Sequence, residues 1–391
     1  MSKEDKSAGK HMHLFEHGIE PADVAQGRLG DCWLISAFAC LAEFPTCVEK
    51  IFIDKEYKRS GKYRVKIYDA LKNKGAGGFT TVVVDDAFPC AKNPGYTNDG
   101  KPVFAQLNGN ELWVLLLEKA FAKFVGSYAM LEGGQTCWAL QAMTGDNCYR
   151  FTHKQLQGGD DDAHEWAKLE LRGVPSAENP RACSFWTTQE KPWDDDLFYQ
   201  HLKGLDANGC VLGASSKGQD KTLTEGRKDG GGIVPGHAYT IVNVYESFGC
   251  RLLKLRNPWG TFEWKGAWSD DSNEWKTHPQ VLASIKLLVG GNSRLEKGSF
   301  WMSYSDFKKY FSAVDVCERS KGLGELRLHV YEECGPCGVV GGCAAGCACF
   351  WCGCQGLRKM VFARDSSRAQ LAKSRIVPAS SGGAPVLAID L

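Results

Sequence analysis

The sequence predicts an α+β protein in two halves, one mainly helical and one rich in strands. Between residues 32 and 124, long apolar stretches recur at helical spacing around a small pair of alternating strands. After residue 210, short apolar runs are bounded by glycine and polar turns. A chain of 391 residues is long enough for two such units, each with its own core. With 43% hydrophobic and 24% charged residues it has the composition of a soluble globular protein. A net charge of +1 gives no basis for a nucleic-acid groove or a strongly anionic partner.

Residues 1–14 read as a flexible N-terminus. The opening MSKEDKSAGKHM has no apolar core of the signal-peptide kind, so a cytoplasmic location is expected. The run Cys32–Phe44 is almost wholly apolar and stops at Pro45, the pattern of a short helix buried on most sides. Tyr63–Tyr68 and Phe79–Asp85 alternate and read as strands. Glu111–Phe124 places Leu112, Leu115, Leu116, Phe121 and Phe124 at helical spacing. These elements make up the helical half, 15–144.

The second half is placed at 145–318. Cys210–Ala214, Ala238–Tyr245 and Arg251–Leu255 read as its strands. Residues 154–196 are polar, with acidic runs at Asp160–Asp162 and Asp194–Asp196, and are taken as a surface insertion. The loop 216–232, SKGQDKTLTEGRKDGGG, is of a length that in compact domains is either functional or disordered. Ser303 or Ser305 is placed to cap a short helix, DFKKYF. A strand at Glu325–Tyr331 falls in a connecting segment, 319–333, and the tail 355–391 is expected to be largely disordered.

The stretch from Gln26 to Trp33, QGRLGDCW, is the most informative chemically. Cys32 stands where a glycine-containing turn meets an apolar helix. The orphan N–H groups and dipole of a helix start stabilise a thiolate and can hold an oxyanion. Gln26 adds a side-chain amide donor across the turn. His237 opens an apolar strand after a glycine loop, and Asn257 ends the next strand. A histidine placed there can face a cleft as a general base, and an asparagine oxygen can fix its ring and tautomer. Trp259 can cover that bond from water. Taken singly, each has an ordinary alternative: a buried structural thiol, a core or surface histidine, an Asn-Pro turn. Their coincidence, with His237 and Asn257 bracketing one hairpin, favours a Cys-His-Asn nucleophilic set.

These stretches resemble the calpain protease core of the papain-like cysteine proteases. The matching text is QGRLGDCWLISAFACL, GHAYTIVNVYE and RNPWGTFEWKGAWSDDSNEW, with weaker matches in GNELWVLLLEKAFAKFVGSYAMLEGG, VVVDDAFP and FWMSYSDFKKYF, together covering roughly residues 15–318. The resemblance implies a helical subdomain carrying Cys32 and a β-rich subdomain carrying His237 and Asn257. It places the cleft between them and a hinge near Thr144 and Gly145. It implies a calcium-dependent endopeptidase making limited cuts in protein substrates. It also implies calcium ligands at Asp23 and Glu111, with backbone carbonyls from Gly18 and Glu16. At a second calcium site Glu263 and Asp270 are in place. The next acidic positions read Lys297 and Ser299, so that site is expected to be weak or absent. No EF-hand pattern occurs, so no calmodulin-like domain of the kind that pairs with a small subunit is expected, and only about 70 residues follow the core. A catalytically silent scaffold on the same fold is the alternative; the intact triad argues against it.

The 17 cysteines divide into two sets. Ten are scattered before residue 320 and are expected to be reduced and mostly buried. Seven fall in the uncharged segment 334–354: Cys334, Cys337, Cys343, Cys347, Cys349, Cys352 and Cys354. Cys334/Cys337 and Cys349/Cys352 have zinc-ligand spacing. Small apolar residues with Phe350 and Trp351, followed by Arg358 and Lys359, also suit S-acylation and membrane association. A glycine-rich tail with incidental thiols is the third reading.

Overall fold

The computed structural model describes residues 12–16, 18–91, 101–107, 109–155, 164–176, 178–179, 182–187, 192–218, 231–260, 262–289, 298–319, 376–377 and 386–387. The expectations for the N-terminal 1–11, the core of the 216–232 loop, Asp160–Asp162, Lys297, the strand at Glu325–Tyr331 and the cysteine segment lie outside these residues. So does most of the 355–391 tail; within it Ile376–Val377 pairs antiparallel with Val386–Leu387, a short piece of regular structure where none was expected.

In the first half the apolar run forms α1 (Cys32–Ala42), with every residue after Cys32 buried. Such a helix has no solvent face and must be enclosed from all sides. Pro45 ends the run as expected and also opens α2 (Pro45–Ile51), because a first-turn proline has no hydrogen bond to lose. Strands β1 (Lys62–Asp69) and β2 (Gly78–Asp85) pair antiparallel. Helix α3 (Trp113–Val125) begins two residues after the predicted start, leaving Glu111 just outside it. Helix α4 (Thr136–Thr144) ends at Gly145, which is left-handed with φ of 71°. Helix α1 packs on α4, on α2 and, across to the second half, on the sheet.

Among the described residues the second half is one eight-stranded antiparallel sheet. Its strands in chain order are β3 (Asn147–Gln155), β4 (His164–Gly173), β5 (Ser184–Thr187), β6 (Val211–Ser216), β7 (Ala238–Ser247), β8 (Cys250–Arg256), β9 (Ser299–Ser303) and β10 (Phe311–Glu318). The spatial order is β5-β4-β3-β10-β6-β7-β8-β9. The last strand, β10, therefore sits in the middle between β3 and β6. Helix α5 (Asp195–Ala207) covers part of one face, and a short α6 (Tyr304–Tyr310) follows β9 with Ser303 as its cap, the Asp306 N–H donating to its hydroxyl at 3.0 Å.

The reading of 154–196 as a surface insertion is corrected. The segment continues the sheet through β4 and β5, and Trp166 is fully buried, stacked on Phe198 at 3.7 Å between centroids. Its acidic run at 194–196 is a helix start: Asp194 accepts the Leu197 N–H at 2.8 Å and caps α5. Strands near a sheet edge carry polar residues on both sides, which hid them in the sequence.

At the centre of the sheet Asp315 on β10 is fully buried and takes a bidentate bond from Arg150 on β3, 2.7 and 2.8 Å. Arg150 also lies over the Phe185 ring of β5 at 4.9 Å. Removing one member strands the other charge in the core. Asp315→Ala should lower unfolding free energy by about 3–5 kcal/mol, read as a shifted urea midpoint; a midpoint within error of wild type would refute this role.

Candidate active site

Cys32 is the first residue of α1 and is partly exposed, unlike the helix behind it. The turn before it is held by the segment 103–106: the Arg28 N–H donates to Val103 O at 3.0 Å and the Gln106 N–H to Ala25 O at 2.9 Å. This approach is so close that a β-carbon at position 27 would lie 1.6 Å from Phe104 O, so Gly27 is required. Gln26 is thereby fixed beside the helix start. Its amide nitrogen donates to Leu29 O at 2.8 Å and lies 3.5 Å from Asp31 Oδ1.

His237 is supplied by the sheet. Its backbone N–H donates to Ser216 Oγ at 2.8 Å, and the Ser216 N–H donates to His237 O at 2.9 Å, which locks it to the end of β6. Its Nε2 is 3.1 Å from Asn257 Oδ1. A carboxamide oxygen only accepts, so Nε2 carries the hydrogen and Nδ1 is the basic nitrogen of the neutral ring. Asn257 is itself held: its backbone N–H donates to Gly298 O at 2.7 Å, and its side-chain amide donates to Phe262 O at 3.3 Å. The Trp259 N–H shares Asn257 Oδ1 at 3.0 Å. Both His237 and Asn257 are buried, and the Trp259 ring lies over the imidazole at 4.2 Å.

Two contacts join the halves around this site. Trp259 Nε1 donates to Gln26 Oε1 at 2.6 Å. Further along α1, Cys40 Sγ is 3.1 Å from Thr240 Oγ1 on β7. Of the five residues singled out as catalytic in the sequence, Gln26, Trp259, His237 and Asn257 are thus joined by direct contacts, and Cys32 opens the helix that follows the Gln26 turn. Beside α1 a cavity of 280 Å³ is bounded by Trp33, Gly134, Trp138 and Cys183. There a β-carbon on Gly134 would fall 2.3 Å from the Trp33 ring.

Sequence reading missed two buried carboxyls behind the turn, Asp31 and Glu118, fully buried at 0% and 2% exposure. Their signal was present: an acid directly before an apolar helix, and an acid inside LLLEKAF. Six of the ten scattered cysteines are buried and all ten are free thiols, as expected.

At the first candidate calcium site the Asp23 and Glu111 carboxyls are neighbours whose charges act on one another. Burial and the neighbouring Asp23 charge push the Glu111 carboxyl up to about 8, against a bond from the Glu16 N–H; burial likewise raises Asp23. A buried acid, Glu111, and a half-buried one, Asp23, that repel each other suit a divalent cation. The Glu16 carboxylate is turned to the Asn110 N–H at 3.1 Å, so only its backbone carbonyl, with that of Gly18, remains to complete a shell. Among the described residues no three His, Cys, Asp or Glu side chains converge as a metal cage. At the second candidate site Glu263 is engaged by the Gly298 N–H at 2.7 Å, and the Ser299 hydroxyl is buried.

A family profile described as calpain family cysteine protease matches residues 3–318. The chain is 35% identical over 307 residues to the calpain-type cysteine protease ADL1 of Oryza sativa subsp. japonica and 36% identical to DEK1 of Zea mays, which covers 78% of this chain and 12% of each relative. It is 31% identical over 350 residues to the human calpain-1 catalytic subunit, 85% of this chain and 41% of that protein. The chain thus spans less than half the length of these relatives.

The bond across the seam can be weighed by a double-mutant cycle of Gln26→Leu and Trp259→Phe. A coupling energy of about 0.5–1.5 kcal/mol in urea unfolding is expected; strict additivity would show that the bond does not hold the halves together.

Proposed function

Because the chain belongs to the calpain family of cysteine proteases, we propose that it is an endopeptidase that cuts extended segments of protein substrates by a Cys-His-Asn mechanism. The observation that carries this is the His237–Asn257 pair, buried under Trp259 and tied through it to the turn that presents Cys32. Cys32 attacks the scissile carbonyl as a thiolate, and His237 takes the thiol proton and returns it to the leaving amine. Asn257 holds the ring in the tautomer that leaves Nδ1 basic. The Cys32 N–H, in the first turn of α1, and the Gln26 amide stabilise the oxyanion; the amide exchanges its bond to Leu29 O for the developing charge. Trp259 keeps water from the His–Asn bond. The cavity beside Trp33 receives a substrate side chain.

Calcium is proposed at Asp23 and Glu111 with the Glu16 and Gly18 carbonyls. When bound it would neutralise the two acids and cross-link the segment before α1 to the start of α3. The second site is proposed to be weak, since Lys297 and Ser299 stand where carboxylates would be needed. For the segment 334–354 we propose S-acylation of a cytoplasmic enzyme; tetrahedral zinc on Cys334, Cys337, Cys349 and Cys352 is the competing outcome, read by metal analysis and a thioester-exchange assay on the full chain.

A thiol-reactive peptide inhibitor should label Cys32, and labelling should vanish in Cys32→Ala. His237→Ala should lower kcat on a casein-type substrate by at least about 10²-fold. Absence of labelling with and without calcium would sink the enzyme reading. Asp23→Ala should weaken calcium activation, and calorimetry should count one tightly bound ion; two tight ions, or an unchanged calcium response in Asp23→Ala, would count against this assignment.

A further inference from the structure

Immediately behind the Cys32 turn lies a feature that the peptidase chemistry does not use. Asp31, the residue before the nucleophile, is fully buried, and its carboxyl neighbours that of Glu118 on α3, near enough for the charge of one to act on the other. Glu118 takes the Ala105 N–H on its two oxygens at 3.0 and 3.1 Å. Asp31 Oδ1 faces the Gln26 amide at 3.5 Å, whereas its Oδ2 is buried and receives no N–H. Among the described residues neither carboxyl has a salt-bridge partner. Two carboxylates cannot hydrogen-bond to each other; a carboxylic acid and a carboxylate can.

We infer that Asp31 and Glu118 share one proton in the working protein, and that Glu118, in its protonated form, is a positioning residue that holds the Asp31–Cys32 turn and the Gln26 amide in place. This rests on the peptidase reading for its catalytic consequence, not for its physical basis.

The electrostatics agree with the geometry. Burial raises both carboxyls, and the Asp31 charge raises Glu118 further, so the retained proton sits mainly on Glu118. The other titratable groups bearing on the pair are few. Tyr128, packed against α3, has its phenol raised by its own burial and then by Glu118, Asp85 and Asp31, so it stays neutral. Asp85 at the end of β2 is bonded to Lys119 at 2.5 Å, and Cys32 itself adjoins Asp31. Among the described residues no Lys, Arg or His forms an ion pair with either carboxyl to compensate a second negative charge.

The sign of the pH effect follows. A carboxyl whose folded pKa lies above its unfolded value binds more protons when folded, so stability falls as pH rises from the ordinary carboxylate range toward the folded value. Once the shared proton leaves, two adjacent buried anions repel. The turn carrying Gln26 and Cys32 is released, and the added negative charge disfavours the Cys32 thiolate. The pair therefore sets an alkaline limit to activity. A carboxamide at 118 donates permanently and cannot lose this proton.

The test compares the full-length wild type with E118Q and E118A, reading kcat/KM and the rate of iodoacetamide alkylation at Cys32 against pH. E118A should lose about 100-fold in kcat/KM near neutrality. E118Q should recover most of that loss, to within about 10-fold of wild type, with its alkaline limb moved up by at least about one pH unit. An alkaline limb in E118Q that superimposes on wild type, or an E118Q no better than E118A, would overturn the proposal. Should the variants fail to fold, the infrared spectrum decides. A protonated-carboxyl stretch at neutral pH that persists when Glu111 is replaced (Glu111→Gln) and is lost on alkaline titration supports the shared proton, and its absence from that variant refutes it. Neither the infrared nor the alkylation readout requires proteolysis, so failure of the peptidase reading would show separately, as a wild type without turnover.

Discussion

A helix with no polar face has to be surrounded, and that constraint on α1 organises the molecule. Its neighbours come from both halves: α2 and α4 on one side, the sheet strands β6 and β7 on the other. The only residue of the helix that reaches solvent is the one at its start, Cys32. Burial of the helix and presentation of the thiol are therefore one event. The sheet that encloses α1 also supplies His237, the residue immediately before β7, and Cys40 against Thr240 ties the same strand to the same helix. Partners some 200 residues apart in sequence meet because a single apolar helix must be covered.

What the sequence disclosed follows from where side-chain pattern and local structure agree. Cys32 was legible because glycine, acid and apolar helix follow one another there. His237 and Asn257 were legible because they flank an apolar hairpin whose period is plain. β3 and β10 were not. Asn147–Gln155 carries Arg150, and Phe311–Glu318 carries Asp315, charges that break the apolar run of a central strand. Only the pairing of these two across the sheet makes either acceptable in the core, and pairing over 165 residues leaves no local trace. The segment 154–196 failed for a related reason: Asp194 caps a helix and its strands lie toward a sheet edge, so its polarity mimicked a surface loop. The buried acids at 31 and 118 were visible as anomalies but not as a pair, since nothing in sequence spacing brings them together.

The site gains rigidity from groups that do no chemistry. Gly27 lets the backbone approach Phe104, and Gly134 lets it approach Trp33; each removes a side chain so that a neighbour can be placed. Gly298 O holds the Asn257 backbone while its N–H engages Glu263, so a candidate ion ligand and the candidate catalytic asparagine hang on one peptide segment.

The Ser216 hydroxyl donates to Val234 O at 2.6 Å and accepts the His237 N–H, so the chain leaves β6 and returns to β7 at a single knot. The entropy of closing whatever lies between is borne by these bonds to the backbone rather than by the imidazole ring. Loop-closure cost grows only by about 0.6 kcal/mol for each doubling of length. This stretch can therefore lengthen, shorten or change composition over evolutionary time while the imidazole keeps its place. The geometry of the candidate site is insulated from the part of the chain best placed to diversify.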